Sequence, residues 1–328
     1  MQNLEQILDK YYSENDPVII GCSTWPDSMY LLHKILETKY AKNLVACYFN
    51  HQLRPESDQE ELFIEKLWKE KWFKVEIASA DIRKIRDNFH QSKGIEEVAR
   101  EKRYAFFNAI CNVYETNKVL TAHHLDDKIE TFFFNLARWS KLTGLINMTE
   151  ESGGIIRPLL QISKTEILAY LEENQLEYKI DETNNDTEIT RNYLRHEIVP
   201  KFEKINSNYK KNIANMMEYF QEVKSHLDGE VESFLEEQWI KIFNSEKYRI
   251  NTLDIYWYFY ISDFNTLSSL LQKEIIRHCF YTSNNKSTIW LSEWNISEVI
   301  KFINWKNNKT VKEIQELKMR KENEIIIF

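Results

Sequence analysis

Glycine is nearly missing from this sequence: 328 residues hold only 6, where ordinary usage near 7% would supply roughly 23. Tryptophan, normally much the rarer of the two, occurs 9 times. Cysteine is equally sparse. Cys22, Cys47, Cys111 and Cys279 are scattered and form no C-x-x-C pair, which excludes a disulfide scaffold and argues against zinc or iron–sulfur sites. No run approaches the roughly 18 apolar residues of a membrane span. The N-terminal stretch MQNLEQILDKYYSEND is polar and helical, unlike a signal peptide. The chain is therefore expected to be cytoplasmic, with no membrane partner. No G-K-[ST] occurs, so a Walker loop is excluded. A basic excess is also lacking. The net charge is −8, which disfavours nucleic-acid binding by the surface as a whole and leaves only local patches for it.

What is present suits a globular protein of two or three domains, with 43% hydrophobic and 13% aromatic residues. Short apolar runs at 17–22, 44–49, 73–78 and 119–122 alternate with helical periodicities at 27–38, 57–71, 94–115 and 126–137. This alternation predicts an α/β fold, a doubly wound parallel sheet whose ligands sit at the carboxyl ends of the strands. Beyond Pro200 the pattern becomes mainly helical and rich in Lys and Glu, and the last forty residues mix helix and strand signals. Domains are expected at 1–205 and 206–328, the second subdivided near 280.

The loop Ser23-Thr24-Trp25-Pro26-Asp27-Ser28 lies between the first strand and the first helix of this alternation. A helix N-terminus there offers free N–H groups to phosphate, Ser23 and Ser28 add hydroxyls, and Asp27 can hold Mg²⁺. Alone, the segment reads equally well as a plain turn in which Asp27 or Ser28 caps the helix. His123-His124 and Asp126-Asp127 follow the fourth strand, compatible with strand-end packing or a metal site. Arg100 and Arg103 fit either an anion site or a solvated helix face. Residues 191–211 hold Arg191, Arg195, Lys201, Lys204, Lys210 and Lys211 against Glu197 and Glu203, which suits a phosphate backbone or an ordinary charged helix.

The loop resembles the S-G-G-x-D-S signature of PP-loop ATP pyrophosphatases, with Thr24 and Trp25 at the glycine positions. The series continues with Asn50-His51-Gln52-Leu53-Arg54, then Gly94-Ile95-Glu96-Glu97-Val98-Ala99-Arg100 with Arg103-Tyr104. After these come His123-His124-Leu125-Asp126-Asp127-Lys128-Ile129-Glu130-Thr131, Arg157-Pro158-Leu159-Leu160, Asp181, Asn184, Arg191-Asn192 and Arg195. In this order the motifs resemble tRNA(Ile)-lysidine synthetases up to about residue 200, and loosely beyond. The resemblance implies an adenine nucleotide alpha hydrolase-like nucleotide domain followed by a mainly helical substrate-binding domain. It also implies a reaction: ATP adenylates the C2 oxygen of the wobble cytidine in tRNA(Ile) with a CAU anticodon, and free L-lysine displaces AMP.

On that basis Ser23, Thr24, Trp25, Pro26, Asp27 and Ser28, with His123 and His124, bind ATP, and Asp27 takes Mg²⁺. Asp27, Asp127 and Glu130 act in catalysis. Asp127 and Glu130, spaced to share one helix face, hold the lysine ammonium. Asn50, His51, Arg54, Arg100, Arg103, Arg191, Asn192 and Arg195 bind the remaining substrate groups. Two other readings stand beside this one. A tRNA-thiolating PP-loop relative needs a cysteine pairing that the sequence does not offer. A non-catalytic tRNA-binding relative follows if Trp25 disables the loop.

Trp25 has company. Trp139 stands where relatives have Arg-Gly-Ser, Trp72 falls before the third strand, and Trp290 and Trp305 sit at turn positions suited to glycine. Glycine scarcity and misplaced tryptophan both follow if UGA encodes glycine in the source organism. Divergence of an AT-rich gene with a genuine Trp25 explains them too. The recoding reading predicts UGA codons at Trp25 and Trp139 when the gene is sequenced; UGG at both sinks it.

Overall fold

The computed structural model describes residues 3–53, 57–71, 73–138, 141–146, 148–179, 190–243, 257–283, 291–307, 310–315 and 317–328. Arg54, Trp72, Trp139, Asp181, Asn184 and Trp290, on which parts of the sequence reading fall, lie outside them. The chain divides into two compact units, Met1–Glu218 and Tyr219–Phe328. Among the described residues no helix is long and apolar enough to cross a membrane.

The first unit is organised by six strands: β1 (Val18–Gly21), β2 (Leu44–Asn50), β3 (Lys74–Ser79), β4 (Val119–Leu120), β5 (Glu151–Ser152) and β6 (Ile155–Ile156). Their order is β3-β2-β1-β4-β6-β5. Neighbours are parallel except β5 and β6, which form a short antiparallel edge that the sequence reading did not anticipate. The strand order reverses between β1 and β4, where Ile20 pairs with Ala46 on one side and Leu120 on the other. Such a switch point opens a crevice at the carboxyl ends of the two strands.

The helices of this unit are α1 (Leu4–Tyr11), α2 (Pro26–Leu36), α3 (Ser57–Lys71), α4 (Ile82–Phe89), α5 (Ile95–Val113), α6 (Leu125–Ala137), α7 (Leu142–Leu145), α8 (Lys164–Glu173), α9 (Thr190–Tyr193) and α10 (Val199–Ile205). A single π-helical turn, Leu194–Ile198, joins the last two. Successive strand residues face opposite ways, and each face has its own core. Val18, Ile20, Leu44, Ala46, Leu120 and Ile156 pack with α1, α2, α3 and α8. Ile19, Val45, Cys47 and Val119 pack with Phe107, Ile110 and Cys111 of α5. Burial on both faces explains why the strands read as continuous apolar runs rather than alternating ones.

Two of the scarce glycines sit where a side chain has no room. A Cβ on Gly21 would come within 2.7 Å of the Phe107 ring, so its absence lets α5 close on the end of β1. Gly154 turns the β5–β6 hairpin at φ +81, and a Cβ there would overlap the carbonyl oxygen of Asn117.

The second unit follows from α11 (Tyr209–Phe243), in whose length the division between units falls. It contains β7 (Tyr258–Tyr260), α12 (Ile261–Thr266), α13 (Ser269–Ser283), α14 (Glu293–Ile303), β8 (Thr310–Ile314), β9 (Leu317–Glu322) and β10 (Ile325–Ile327). The strands form an antiparallel sheet in the order β7-β10-β9-β8, an addition to the mainly helical domain expected. Phe259, Leu317, Met319, Ile326 and Phe328 pack against Val231, Phe234 and Leu235 and against α13 and α14. Lys321 also points inward from β9 and is buried. Its ammonium donates to the carbonyls of Ile303, at 2.9 Å, and Trp305, closing the carboxyl end of α14.

Replacing Gly154 by Ala should destabilise the first unit by about 2 kcal/mol or more, lowering its urea midpoint. Gly94→Ala, at an open N-cap position with φ −68, should shift it by much less; equal effects would remove the steric account.

Candidate functional site

Three helix N-termini meet where the strands end. Cys22 prolongs β1 by donating its N–H to Cys47 O at 2.9 Å. The chain then turns sharply: Thr24 takes φ +64, and Trp25 returns to extended backbone at φ −79, ψ 164, as N-cap of α2. The position that calls for glycine on backbone grounds is thus Thr24, not Trp25. A β-branched residue in the left-handed region costs about 1–2 kcal/mol. Thr24 is fully buried, and its Oγ1 has no hydrogen-bond partner among the described residues. Ser28 Oγ braces the turn, donating to Trp25 O at 3.0 Å and accepting from Ser23 N at 3.1 Å. Pro26 takes N1, and no side chain caps α2. Asp27 and Ser28 therefore do not serve as the cap that a plain turn would use. The Trp25 indole is half-buried and donates to Glu60 Oε1 at 3.5 Å.

Asp27 turns instead toward the next two helices. Its Oδ1 lies 2.6 Å from Lys164 Nζ at the start of α8 and 3.4 Å from His124 Nε2 at the start of α6. His124 is the N-cap of α6 in a reciprocal box: its Nδ1 accepts from Asp127 N at 3.4 Å, and Asp127 Oδ2 accepts from His124 N at 3.0 Å. A parallel bridge from His124 to Leu159 carries the β4–β6 pairing up to this point. Asp126 fixes the geometry, accepting from the Lys164 backbone N–H at 2.8 Å and from Lys210 Nζ. Asp127 Oδ1 stands 3.8 Å from Arg195 Nη2, and Arg195 clasps buried Glu130 with Nε and Nη2 at 2.6 and 2.9 Å. Lys164, Asp27, His124, Asp127, Arg195 and Glu130 thus form one continuous chain of alternating charge.

The electrostatics follow from this arrangement. Burial raises the Asp27 carboxyl, but His124 and Lys164 outweigh it and leave it below its ordinary range. Burial lowers His124, and the Asp27, Asp127 and Asp126 carboxylates overcome that and raise it. Its neighbour behaves oppositely. His123, bonded to Thr121 Oγ1 at 2.9 Å, is pushed down to about 4 by burial, with Arg157, Arg103 and Arg100 adding to the effect. It is neutral at pH 7. Burial raises Glu130, and Arg195 offsets this only in part.

The other expected site residues have varied surroundings. Arg100 and Arg103 place their guanidiniums over Tyr104, at 4.8 and 5.8 Å from the ring centre. Asn50 is buried and shapes the end of β2, donating to Glu61 at 3.0 Å and accepting from Gln52 N at 2.9 Å. The His51 ring packs 4.9 Å from Phe49. Asn192 is buried, and Arg191 lies 6.0 Å from the Phe134 ring centre. Arg195, Lys201 and Lys210 spend their charges on Glu130, Glu197 and Asp126, so the 191–211 segment presents less free positive charge than its composition suggests. Among the described residues no three His, Cys, Asp or Glu side chains are placed to hold a metal ion.

Because folding raises the His124 pKa, its contribution to stability is complete below the ordinary value near 6.5 and is lost as pH rises through the folded value. Protonation places a hydrogen on Nδ1 as well, so the charged imidazole gives up the bond from Asp127 N–H and acts through the surrounding carboxylates, a role His124→Asn cannot take over. The difference in melting temperature between wild type and this variant should be largest below pH 6.5 and shrink in more alkaline buffer; a constant difference would refute the charged-imidazole account.

Comparison with known proteins fits this geometry. The PP-loop domain family matches residues 1–202. The tRNA(Ile)-lysidine synthase of Thermosipho africanus is 33% identical over 240 residues, covering 71% of this chain and 56% of the relative. That of Chlorobaculum tepidum is 33% identical over 230 residues, covering 69% and 67%, and that of Petrotoga mobilis 32% over 226 residues, covering 66% and 70%. The chain thus spans between 56% and 70% of the length of these three relatives. Among solved structures, the U34-tRNA thiolase NcsA of Methanococcus maripaludis superposes with a TM-score of 0.55 at 18% identity, covering 67% of this chain and 78% of that one, a likeness of fold. With its PP-loop at the switch point and these relatives along its length, the chain belongs to the PP-loop family and, within it, to the tRNA(Ile)-lysidine synthases.

Proposed function

We propose that this chain ligates L-lysine to C2 of the wobble cytidine of tRNA(Ile) bearing a CAU anticodon, using ATP and releasing AMP and pyrophosphate. The observation that carries the proposal is the charge chain from Lys164 to Glu130, which joins the PP-loop carboxylate to the two carboxylates assigned to lysine.

The residues suit the groups they would receive. The uncapped start of α2 and the partly exposed Ser23 hydroxyl are donors of the kind that phosphate oxygens need. Mg²⁺ is a hard cation that takes one or two carboxylates and completes its shell with substrate phosphates, so Asp27 suffices without an all-protein cage. Bound ATP supplies the adenylyl group that turns the cytidine C2 oxygen into a leaving group. Neutral His123 can donate or accept one hydrogen bond beside the nucleotide without adding charge. Asp127 and Glu130 receive the lysine ammonium. Arg195 is its competitor for the same carboxylates, and the guanidinium it releases is free for RNA phosphate.

The thiolation reading loses ground, since all four thiols are buried and burial raises each of their pKa values. A non-catalytic RNA-binding role draws on one observation, the Trp25 indole anchored on Glu60 at the mouth of the loop.

The test incubates the Trp25 and Trp25→Gly forms with ATP, labelled lysine and tRNA of CAU anticodon. The glycine form should incorporate lysine. Asp127→Asn and Glu130→Gln in that form should cut kcat/KM for lysine roughly 30-fold or more. Incorporation by neither parent form removes the proposal. If only the Trp25 form is active, the idea that Trp25 blocks the loop fails.

A further inference from the structure

We propose that Arg138 and Arg191 form a clamp for an RNA phosphodiester, one that flanks the nucleotide brought to the lysine carboxylates. The inference rests on the tRNA reading above and deepens it: it names the RNA group that is held and adds Arg138 as a contact.

Asp127, Glu130 and Phe134 follow one another at i, i+3 and i+7 along α6, so they share one face of that helix. The segment from α9 into the π-helical turn is matched to this face in the opposite sense. Arg195 clasps Glu130, and Arg191, about one turn earlier, reaches Phe134, one turn further along α6. Arg138, the C-cap of α6, covers the same ring. Its Cζ is 5.0 Å from the ring centre, and that of Arg191 is 6.0 Å. Two guanidiniums from separate elements thus meet on one half-buried phenylalanine.

Both arginines are exposed, and among the described residues neither has a carboxylate partner. The cations around them are spent: Lys164 on Asp27, Arg195 on Glu130, Lys201 on Glu197 and Lys210 on Asp126. The α6 dipole accounts for a cation at position 138. It does not account for a second one, from another element, on the same ring. The ring attracts each cation by only about 0.5–1 kcal/mol at an exposed position, and the two like charges repel. An anion shared by the pair gains from both.

The place and the exposure select the anion. Phe134 lies about 15 Å along α6 from His124, which sets the clamp apart from a polyphosphate resting on the start of α2. The carboxylate of a lysine held at Asp127 and Glu130 is the rival within reach. Small ligands, however, are largely enclosed by their sites, and this pair is open to solvent, as suits a strand that runs over the surface. The reacting nucleotide must come to the same helix face, and within a chain it carries a phosphate on either side. The guanidinium fork matches phosphate oxygens in pairs.

The test measures binding of a CAU anticodon stem-loop RNA to the full chain across a series of salt concentrations. Wild type is compared with Arg138→Gln, Arg191→Gln and Lys66→Gln, the last a control of equal charge change at an exposed lysine of α3. Each arginine variant should weaken binding roughly 10-fold at low salt, as expected for loss of one charge-assisted contact. Each should also lower the steepness of log Kd against log salt by about 0.7, the share of one phosphate in a single strand. The control should keep the wild-type slope. Slopes unchanged in both arginine variants, or reduced equally in the control, overturn the clamp. So does a loss of L-lysine affinity, read by calorimetry, with the RNA slope intact, which assigns the pair to the lysine carboxylate. No RNA binding by wild type overturns the clamp together with the tRNA reading. Reduced slopes in a chain that incorporates no lysine uphold the clamp and refute ligation alone.

Discussion

The carboxylate of Asp27 ties the carboxyl end of the first sheet together. It meets Lys164 and His124 from two other helices, so α2, α6 and α8 converge on one oxygen. Helix N-termini carry partial positive charge, and bringing three of them together without acidic side chains would be repulsive. Asp27, Asp126 and Asp127 sit in the first turns of α2 and α6 and neutralise that convergence. Lysine and arginine side chains from α8, α11 and the turn before α10 then balance the acids. The same residues that make the site chemically interesting are the ones that let it exist as a folded junction.

The sheet was readable from the sequence because its strands are apolar on both faces and its motifs all follow strand ends. The short β5–β6 edge was not, since two-residue strands carry no periodicity. In the C-terminal unit, Ile325–Ile327 is an evident apolar run, but Lys321 breaks the inward pattern of Leu317 and Met319 with a charge that only its two carbonyl partners explain. At the site, Asp27, His124, Asp127 and Glu130 come from local motifs. Arg195 was in the series, but its clasp on Glu130 spans 65 positions and no spacing rule announces it. Lys164 was passed over, although a lysine at N1 right after a capping serine is a local anomaly, and Asp126 was named with Asp127 without its bonds to Lys164 N–H and Lys210, which spacing does not announce.

Trp25 changes meaning once the backbone is known. The left-handed residue is Thr24, so a glycine at 25 would serve the approach of a ligand and not the turn itself. Recoding at Trp25 would leave the strain at Thr24 untouched. Trp305 fits the glycine idea differently: it is 55% exposed in the segment after α14, where a large ring gains little from burial.

Lys321 has a consequence beyond α14. An amine enclosed by carbonyls is sheltered from acylating reagents, and most lysines on a charged surface are not. Acylation of Lys321 therefore requires that its contact with the carboxyl end of α14 open, which makes it a reporter of local opening within the second unit.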